Sequence, residues 1–363
     1  MSKLQDIRVA LNNKYFERKS EVEGLLVSMI AKQHVLFIGE AGTGKSQLSA
    51  ELGNIVDGSS YFQWLLSQFS TPEELFGVLS LKELEQGIYK RNTASKLPEA
   101  HFAFLDEIFK ANSAILNSLL TLINERIFYN NGSPIQTPVM SIVGSSNEYP
   151  EEGEGLEALF DRFLLRYEVD YIKEEKSFIS LLKGGNKVEI PTMTFEELAQ
   201  AQQEATQVAI PDKVIEALAE IRQALKDEGI RPSDRRFVQS LSLLKARAYI
   251  ENRKQVNLKD MELLKNSLWV TPEQMDITHE IVRDVSFDED DKALEQRKGE
   301  VQDLINRLQD GKDVNQHLEI IQKLKVITSE LEKLNLQDTQ ERDQLVKIIK
   351  NEVDGYVSQI IDF

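Results

Sequence analysis

Residues 39–46 read Gly39-Glu40-Ala41-Gly42-Thr43-Gly44-Lys45-Ser46, a complete G-x-x-x-x-G-K-S loop. An apolar run, His34-Val35-Leu36-Phe37-Ile38, precedes it like a buried strand, and the helix-forming stretch Gln47-Leu48-Ser49-Ala50-Glu51-Leu52 follows. Chemistry accounts for the spacing. The glycines let backbone N–H groups approach a polyphosphate, Lys45 reaches the outer phosphates, and the Ser46 hydroxyl is placed to ligate Mg²⁺. All eight residues are therefore expected at a bound polyphosphate with Mg²⁺. The competing reading, a glycine-rich turn that binds nothing, is outweighed by the full motif, its flanks and an acidic pair downstream.

That pair closes the apolar strand Phe102-Ala103-Phe104-Leu105-Asp106-Glu107. In a P-loop NTPase an acid at the tip of the neighbouring strand holds the Mg²⁺ shell, and an adjacent acid orients and polarises the attacking water. Asp106 is assigned to the metal and Glu107 to the water. A third strand, read over 139–147, ends at Asn147. There an Asn holds the attacking water from the other side of the γ-phosphate; taken alone it would read as a turn residue.

The chain has 363 residues, enough for two or three domains. It has no run of eighteen apolar residues, so no membrane span is expected. The N-terminus lacks a signal-peptide hydrophobic region. Cysteine is absent, which excludes disulfides and thiol chemistry and fits a reducing cytoplasm. Four scattered histidines argue against a zinc site. The net charge of −17 gives no general help toward a polyanion. Nucleic-acid affinity comes largely from phosphate neutralisation, and the basic residues in view are Lys110 and the 231–236 region.

The expected fold class is α/β: a P-loop parallel sheet with helices over 1–172, a linker over 173–194, an all-α lid domain over 195–285 and a helical tail over 286–363. Residues 1–33 read as helical. Residues 34–170 alternate apolar strands with helical stretches. Ser70-Thr71-Pro72-Glu73-Glu74-Leu75-Phe76-Gly77 opens an insertion reaching Pro98, and an amphipathic helix spans about 111–125. A hairpin over 127–135 turns at Asn131-Gly132. The linker carries Gly184-Gly185, and lid helices start near Thr194, Pro211 and Ser233. In the tail, Asp288-Glu289-Asp290-Asp291 reads as a solvated junction. Beyond it, Ile320, Leu324, Ile327, Leu331 and Leu334 form an apolar seam, and a further helix runs through Leu345, Ile348, Ile349 and Val353. A helical hairpin or three-helix bundle is expected, serving either as a structural cap or as a partner-docking module.

Together these motifs resemble the AAA+ ATPases, and within them the RavA-like branch of the MoxR family. The resemblance covers about residues 8–285. It rests on the loop, on F-L-D-E-I-F-K-A at 104–111 with L-L-T-L-I-N-E-R at 119–126, on G-S-S-N-E-Y-P at 144–150, on L-F-D-R-F at 159–163 and on P-S-D-R-R at 232–236. The segment at 70–77 is similar to this family's helix-2 insertion, and the hairpin at 127–135 to family loops that line the ring or face a client.

The resemblance implies a homo-oligomeric ring of six subunits, with each nucleotide between neighbours. It implies that Arg162 is the arginine finger reaching the next subunit's γ-phosphate, with Arg166 as the neighbouring alternative. It makes Arg235 the better match for a second sensor on the lid, with Arg236 left open. Phe16 falls where the family binds adenine and is read either as a base contact or as core. Of Phe76, Phe128 and Tyr129, at least two are expected in the core. The implied function is ATP-driven remodelling of a protein client, with a von Willebrand A-domain protein as partner. The alternatives are a nucleic-acid motor or loader, and an ATP-binding switch with little turnover.

Overall fold

The apolar run ahead of the phosphate loop is strand β1 (Val35–Ile38), buried at all four positions. Six more strands follow in chain order: β2 (Tyr61–Leu65), β3 (Phe102–Asp106), β4 (Ile127–Asn130), β5 (Ser133–Gln136), β6 (Ser141–Ser146) and β7 (Leu165–Glu168). Five of them make one sheet in the order β2-β3-β6-β1-β7, with every pairing parallel. The structure, a computed structural model, describes residues 2–150, 155–310, 314–334, 336 and 339–361.

Parallel strands buried on both faces read as near-continuous apolar runs, and β1 and β3 do; β6 is as buried but carries Ser141, Gly144, Ser145 and Ser146. Their side chains alternate between two cores. Val35, Phe37, Phe102, Phe104 and Val143 meet residues of the helices Lys3–Lys14, Lys19–Ala31, Lys45–Ile55, Phe195–Thr206 and Asp234–Ile250. Leu36, Ile38, Ala103, Leu105 and Ile142 face the helix Ser113–Glu125 and the insertion. Register then decides where the polar residues emerge. Ile38 pairs with Ser146, and Leu36 and Leu105 both pair with Gly144. The residues that follow β1, β3 and β6 therefore leave the sheet at one edge, its carboxyl edge, where α/β proteins bind ligands.

The structure bears out the α/β sheet, the helical lid and the helical tail. The lid helices start at Phe195, Asp212 and Asp234, with Thr194 and Ser233 as side-chain caps. The hairpin turns through Asn131 and Gly132, both at positive φ. Phe76 and Phe128 are buried and stacked at 5.4 Å, while Tyr129 is exposed.

Other elements depart from the expectation. Residues 1–33 make two helices, Lys3–Lys14 and Lys19–Ala31, separated at Glu17, whose φ is +55°. The segment read as a linker contains a helix, Glu175–Leu182, with no buried side chain. Its composition hid it, because Lys, Glu and Gly surround the apolar positions. Two strands lacked a clear signal. In β2 only Phe62 is buried, and β7 carries Arg166 and Glu168.

By its contacts the chain divides into 1–282 and 283–363, a boundary inside the helix Met275–Ser286. The second unit has helices Glu289–Asp310, Val314–Leu331 and Gln340–Ile361. The seam residues Ile320, Leu324, Ile327 and Leu331 are buried in this unit's own core, against Leu294, Val301, Leu308, Ile349 and Val353. The acidic run is not wholly solvated: Asp291 is buried, and the Asp288 carboxylate accepts from its N–H.

Candidate functional site

The loop leaves β1 at Gly39 and enters the helix Lys45–Ile55 at Gly44, which has φ +88°. Gly39 admits no side chain: a Cβ there would lie 2.3 Å from the Val169 carbonyl oxygen, on the segment leaving β7. Lys45 is the helix's first residue and is 7% exposed. Its ammonium donates to the carbonyls of Gly39 (2.5 Å) and Glu40 (2.8 Å), and more weakly to Asn147 Oδ1 (3.4 Å). Burial lowers its pKa, opposed by the charges of Asp106, Glu107 and Glu40. Two residues the sequence did not single out brace the loop. Arg18, buried, donates to the Thr43 and Asp170 carbonyls, and the Tyr171 hydroxyl donates to the Ala41 carbonyl.

Asp106 ends β3, and its Oδ1 accepts from the Ser145 hydroxyl and, at 3.1 Å, from the Glu107 N–H. Ser145 is a further residue that sequence reading missed; it is one of three serines in β6, so polarity alone did not mark it. Glu107 sits at φ +53°, a left-handed conformation uncommon for a side-chain-bearing residue. Such strain concentrates at functional sites. Its carboxylate is 12% exposed and lies 3.2 Å from the Lys110 ammonium, yet its Oε2 accepts no aligned hydrogen bond.

Lys45, Asp106, Glu107 and Asn147 are thus brought to one sheet edge by three strands. Ser46, next to Lys45, and Asp106 offer the hard oxygen donors that Mg²⁺ prefers. Among the described residues no cluster of three or more His, Cys, Asp or Glu stands ready to hold a metal. The set therefore fits an ion that keeps waters and takes substrate phosphates for its remaining ligands.

The arginines form a separate group. Arg162 ends the helix Glu157–Arg162, pairs with Asp161 at 3.4 Å, and buries an Nε that has no acceptor. Arg235 is exposed and donates to Asn124 Oδ1 at 2.8 Å. Burial depresses the Arg162 pKa, and the Arg235 charge adds to this. None of the hydrogen bonds or ion pairs found for either reaches the phosphate loop. Arg236 is buried: it donates to Asp161 Oδ1 and to the carbonyls of Asp161, Phe163, Leu164 and Ser267. Arg166 is buried too, donating to the Phe163 and Trp269 carbonyls with its guanidinium over the Phe160 and Trp269 rings. Those surroundings enclose Arg166 and Arg236, which are 2% and 1% exposed.

Beside the loop lies a cavity of about 900 Å³. Gly42, Thr43 and Gly44 bound it, with Phe16 from the turn after the first helix and Ile172 and Phe178 from the segment after β7. Its size suits a nucleotide-sized ligand, and Phe16 lines it instead of entering the core.

A five-stranded parallel sheet in this order, with a phosphate loop after β1, paired acids after β3 and a helical domain behind, defines an AAA+ class P-loop protein. The chain belongs to the MoxR family of AAA+ ATPases. Residues 2–209 match the profile of the MoxR domain in the MoxR-vWA-beta-propeller ternary systems, and residues 213–282 match an AAA lid domain. Uncharacterized protein MJ0079 of Methanocaldococcus jannaschii is 35% identical over 379 aligned positions, covering 100% of this chain and 98% of that one. Chaperone MoxR1 of Mycobacterium tuberculosis is 29% identical over 43% of this chain and 41% of its own. A crystal structure of a Cytophaga hutchinsonii protein assigned as an ATPase shares the fold at a TM-score of 0.63. It is 17% identical and covers 78% of this chain and 93% of that one. Among the described residues no helix is long and apolar enough to cross a membrane.

Proposed function

We propose that this protein hydrolyses ATP with Mg²⁺ in a homo-oligomeric ring, six-membered by resemblance, and uses the cycle in the cytoplasm to remodel or assemble a protein client. The observation that carries the reading is the convergence of Lys45, Asp106, Glu107 and Asn147 at the ends of three adjacent parallel strands. Lys45 binds the outer phosphates of ATP. Glu107 takes the proton of the attacking water, and Asn147 orients that water from the far side. Ser46 and Asp106 would hold the Mg²⁺, which when bound neutralises charge on the phosphates.

The ring follows from the arginines. Among the described residues no hydrogen bond or ion pair joins Arg162 or Arg235 to the phosphate loop of its own chain, which supports a second copy as the recipient of both. A fixed guanidinium there stabilises charge developing in phosphoryl transfer. ATP state would then shift the lid against the sheet domain, a two-state element that couples hydrolysis to work. The matched profile is named for systems that pair MoxR with von Willebrand A domains, which supports such a protein as partner. The net charge of −17 disfavours nucleic acid.

The test is turnover. Glu107→Gln removes the base and leaves the phosphate and metal contacts, so ATP should bind normally while the rate falls about 10²- to 10⁴-fold. A variant retaining more than a tenth of the wild-type rate overturns the assignment. Lys45→Ala should instead lose nucleotide affinity, measured by fluorescence titration.

A further inference from the structure

The helix Glu175–Leu182 leaves half its residues as large side chains in water. Phe178, Ile179, Leu181 and Leu182 are 50%, 42%, 49% and 70% exposed, and no residue of the helix is buried. An eight-residue helix gains little from propensity alone, so its position needs another explanation. Two side-chain tethers supply it. The Glu17 carboxylate accepts the N–H groups of Lys173 (2.8 Å) and Glu174 (3.0 Å), and the Asn186 amide donates to the Asn13 carbonyl (2.7 Å). Just before that second tether stand Gly184 and Gly185, at φ +100° and +66°, with open space where a Cβ would be. The helix is thus hung at both ends and not packed.

One of its apolar edges has a definite outlook. Phe178 and Leu181, three residues apart and so on one face, line the same cavity of about 900 Å³ as Gly42, Thr43 and Gly44 of the phosphate loop. Ile179 and Leu182 do not line it. With phosphates held at Gly42–Lys45, the rest of a nucleotide extends into this cavity, toward Phe16 on one wall and Phe178 on another. A flat aromatic base covers such apolar walls at low entropic cost.

Resting on the ATP reading above, we propose that Phe178, with Leu181, forms the movable base-side wall of the nucleotide site, and that a bound purine base draws the helix Glu175–Leu182 into place. Phe178 is a binding and positioning residue that contributes nothing to the phosphates. Because the segment leads into the lid domain, base occupancy is transmitted along the chain at this point.

Inorganic tripolyphosphate separates the base from the phosphates. Full-length wild-type protein should bind ATP and, more weakly, tripolyphosphate in competition with a fluorescent nucleotide. Phe178→Ala should lose about tenfold in affinity for ATP and ADP, the order of one aromatic–base contact, with tripolyphosphate affinity unchanged. Ile179→Ala, on the same helix but outside the cavity, should change neither. Equal loss for ATP and tripolyphosphate, or no loss for ATP, overturns the proposal. Independently of any variant, trypsin cleavage after Lys183 should be slowed by ATP and not by tripolyphosphate; equal protection by both also overturns it. If wild-type protein binds neither ligand, the ATP reading itself fails, a distinct result.

Discussion

Lys45 and Arg236 are both buried cations, and their surroundings differ. Arg236 is held by five acceptors drawn from the 161–164 turn and from Ser267, which fixes the lid helix Asp234–Ile250 to the sheet domain. Lys45 is held mainly by two carbonyls of its own loop and by a long contact to Asn147. The arginine's partners come from distant segments and nothing else replaces them. The lysine's partners are local, so anionic oxygens can take their place with little rearrangement. The same contrast separates the arginines among themselves. Arg166 and Arg236 are enclosed by carbonyls and aromatic rings, whereas Arg162 and Arg235 rely on one side-chain partner each. Full satisfaction marks a structural cation, and partial satisfaction one kept available.

The contrast breaks most severely if Arg162 serves only its own subunit. Arg162→Ala should bind ATP yet turn it over about 10³- to 10⁵-fold more slowly. Mixing it with Glu107→Gln should recover some activity. One interface type then takes its base from the Arg162→Ala subunit and its finger from the Glu107→Gln subunit. Absence of recovery in rings shown to be mixed would place Arg162 in cis or make it structural.

A smaller effect sharpens the difference between adjacent arginines. Arg236→Ala strands buried carbonyls and the Asp161 carboxylate, and should cost about 3–5 kcal/mol in urea unfolding. Arg235→Ala should stay within about 0.5 kcal/mol of wild type in stability while lowering ATPase activity. Equal destabilisation by the two would erase the distinction.

The smallest effect concerns His34, at the other end of β1 from the loop. Its Nδ1 accepts from the Ile142 N–H and its Nε2 faces the Ile123 carbonyl, so the neutral ring is the one that fits. Burial, helped by the Arg126 charge, lowers its pKa to about 3. The folded state therefore refuses a proton that the unfolded chain binds below about pH 6.5. Stability should be complete above that pH and fall as pH drops toward 5, by at most about 1.4 kcal/mol per unit. His101 and His279 are also shifted down by burial and add to the slope. His34→Gln, uncharged throughout, should be measurably flatter over pH 5–6.5 in thermal melts, and an unchanged slope would remove His34 as the cause.

Legibility in the sequence followed locality. The phosphate loop, the strand ending in Asp106-Glu107 and the caps at Thr194 and Ser233 are short-range patterns, and each stands where its residues placed it. The seam from Ile320 to Leu331 was legible as a helix face belonging to a helical hairpin or three-helix bundle; which of the two, and that Leu294, Val301 and Leu308 close over it, was decided by the fold. The helix Glu175–Leu182 was invisible because helices announce themselves by a face that is buried, and this one buries no residue. Strand β7 was obscured by Arg166, a cation in a buried position that the Phe163 and Trp269 carbonyls and the Phe160 and Trp269 rings, placed by the fold, make tolerable.

By itself, then, the chain's order of residues determined the family, the parallel sheet and the chemistry of the loop and the acids, because each depends on neighbours within a few residues. Only the tertiary structure decided which arginines are enclosed and which stay available. It also decided that Ser145 holds Asp106, and that Phe178 lines the cavity beside the phosphate loop. Burial and hydrogen-bond satisfaction are set by segments far apart in sequence, and no local pattern records which of two identical side chains those segments will surround.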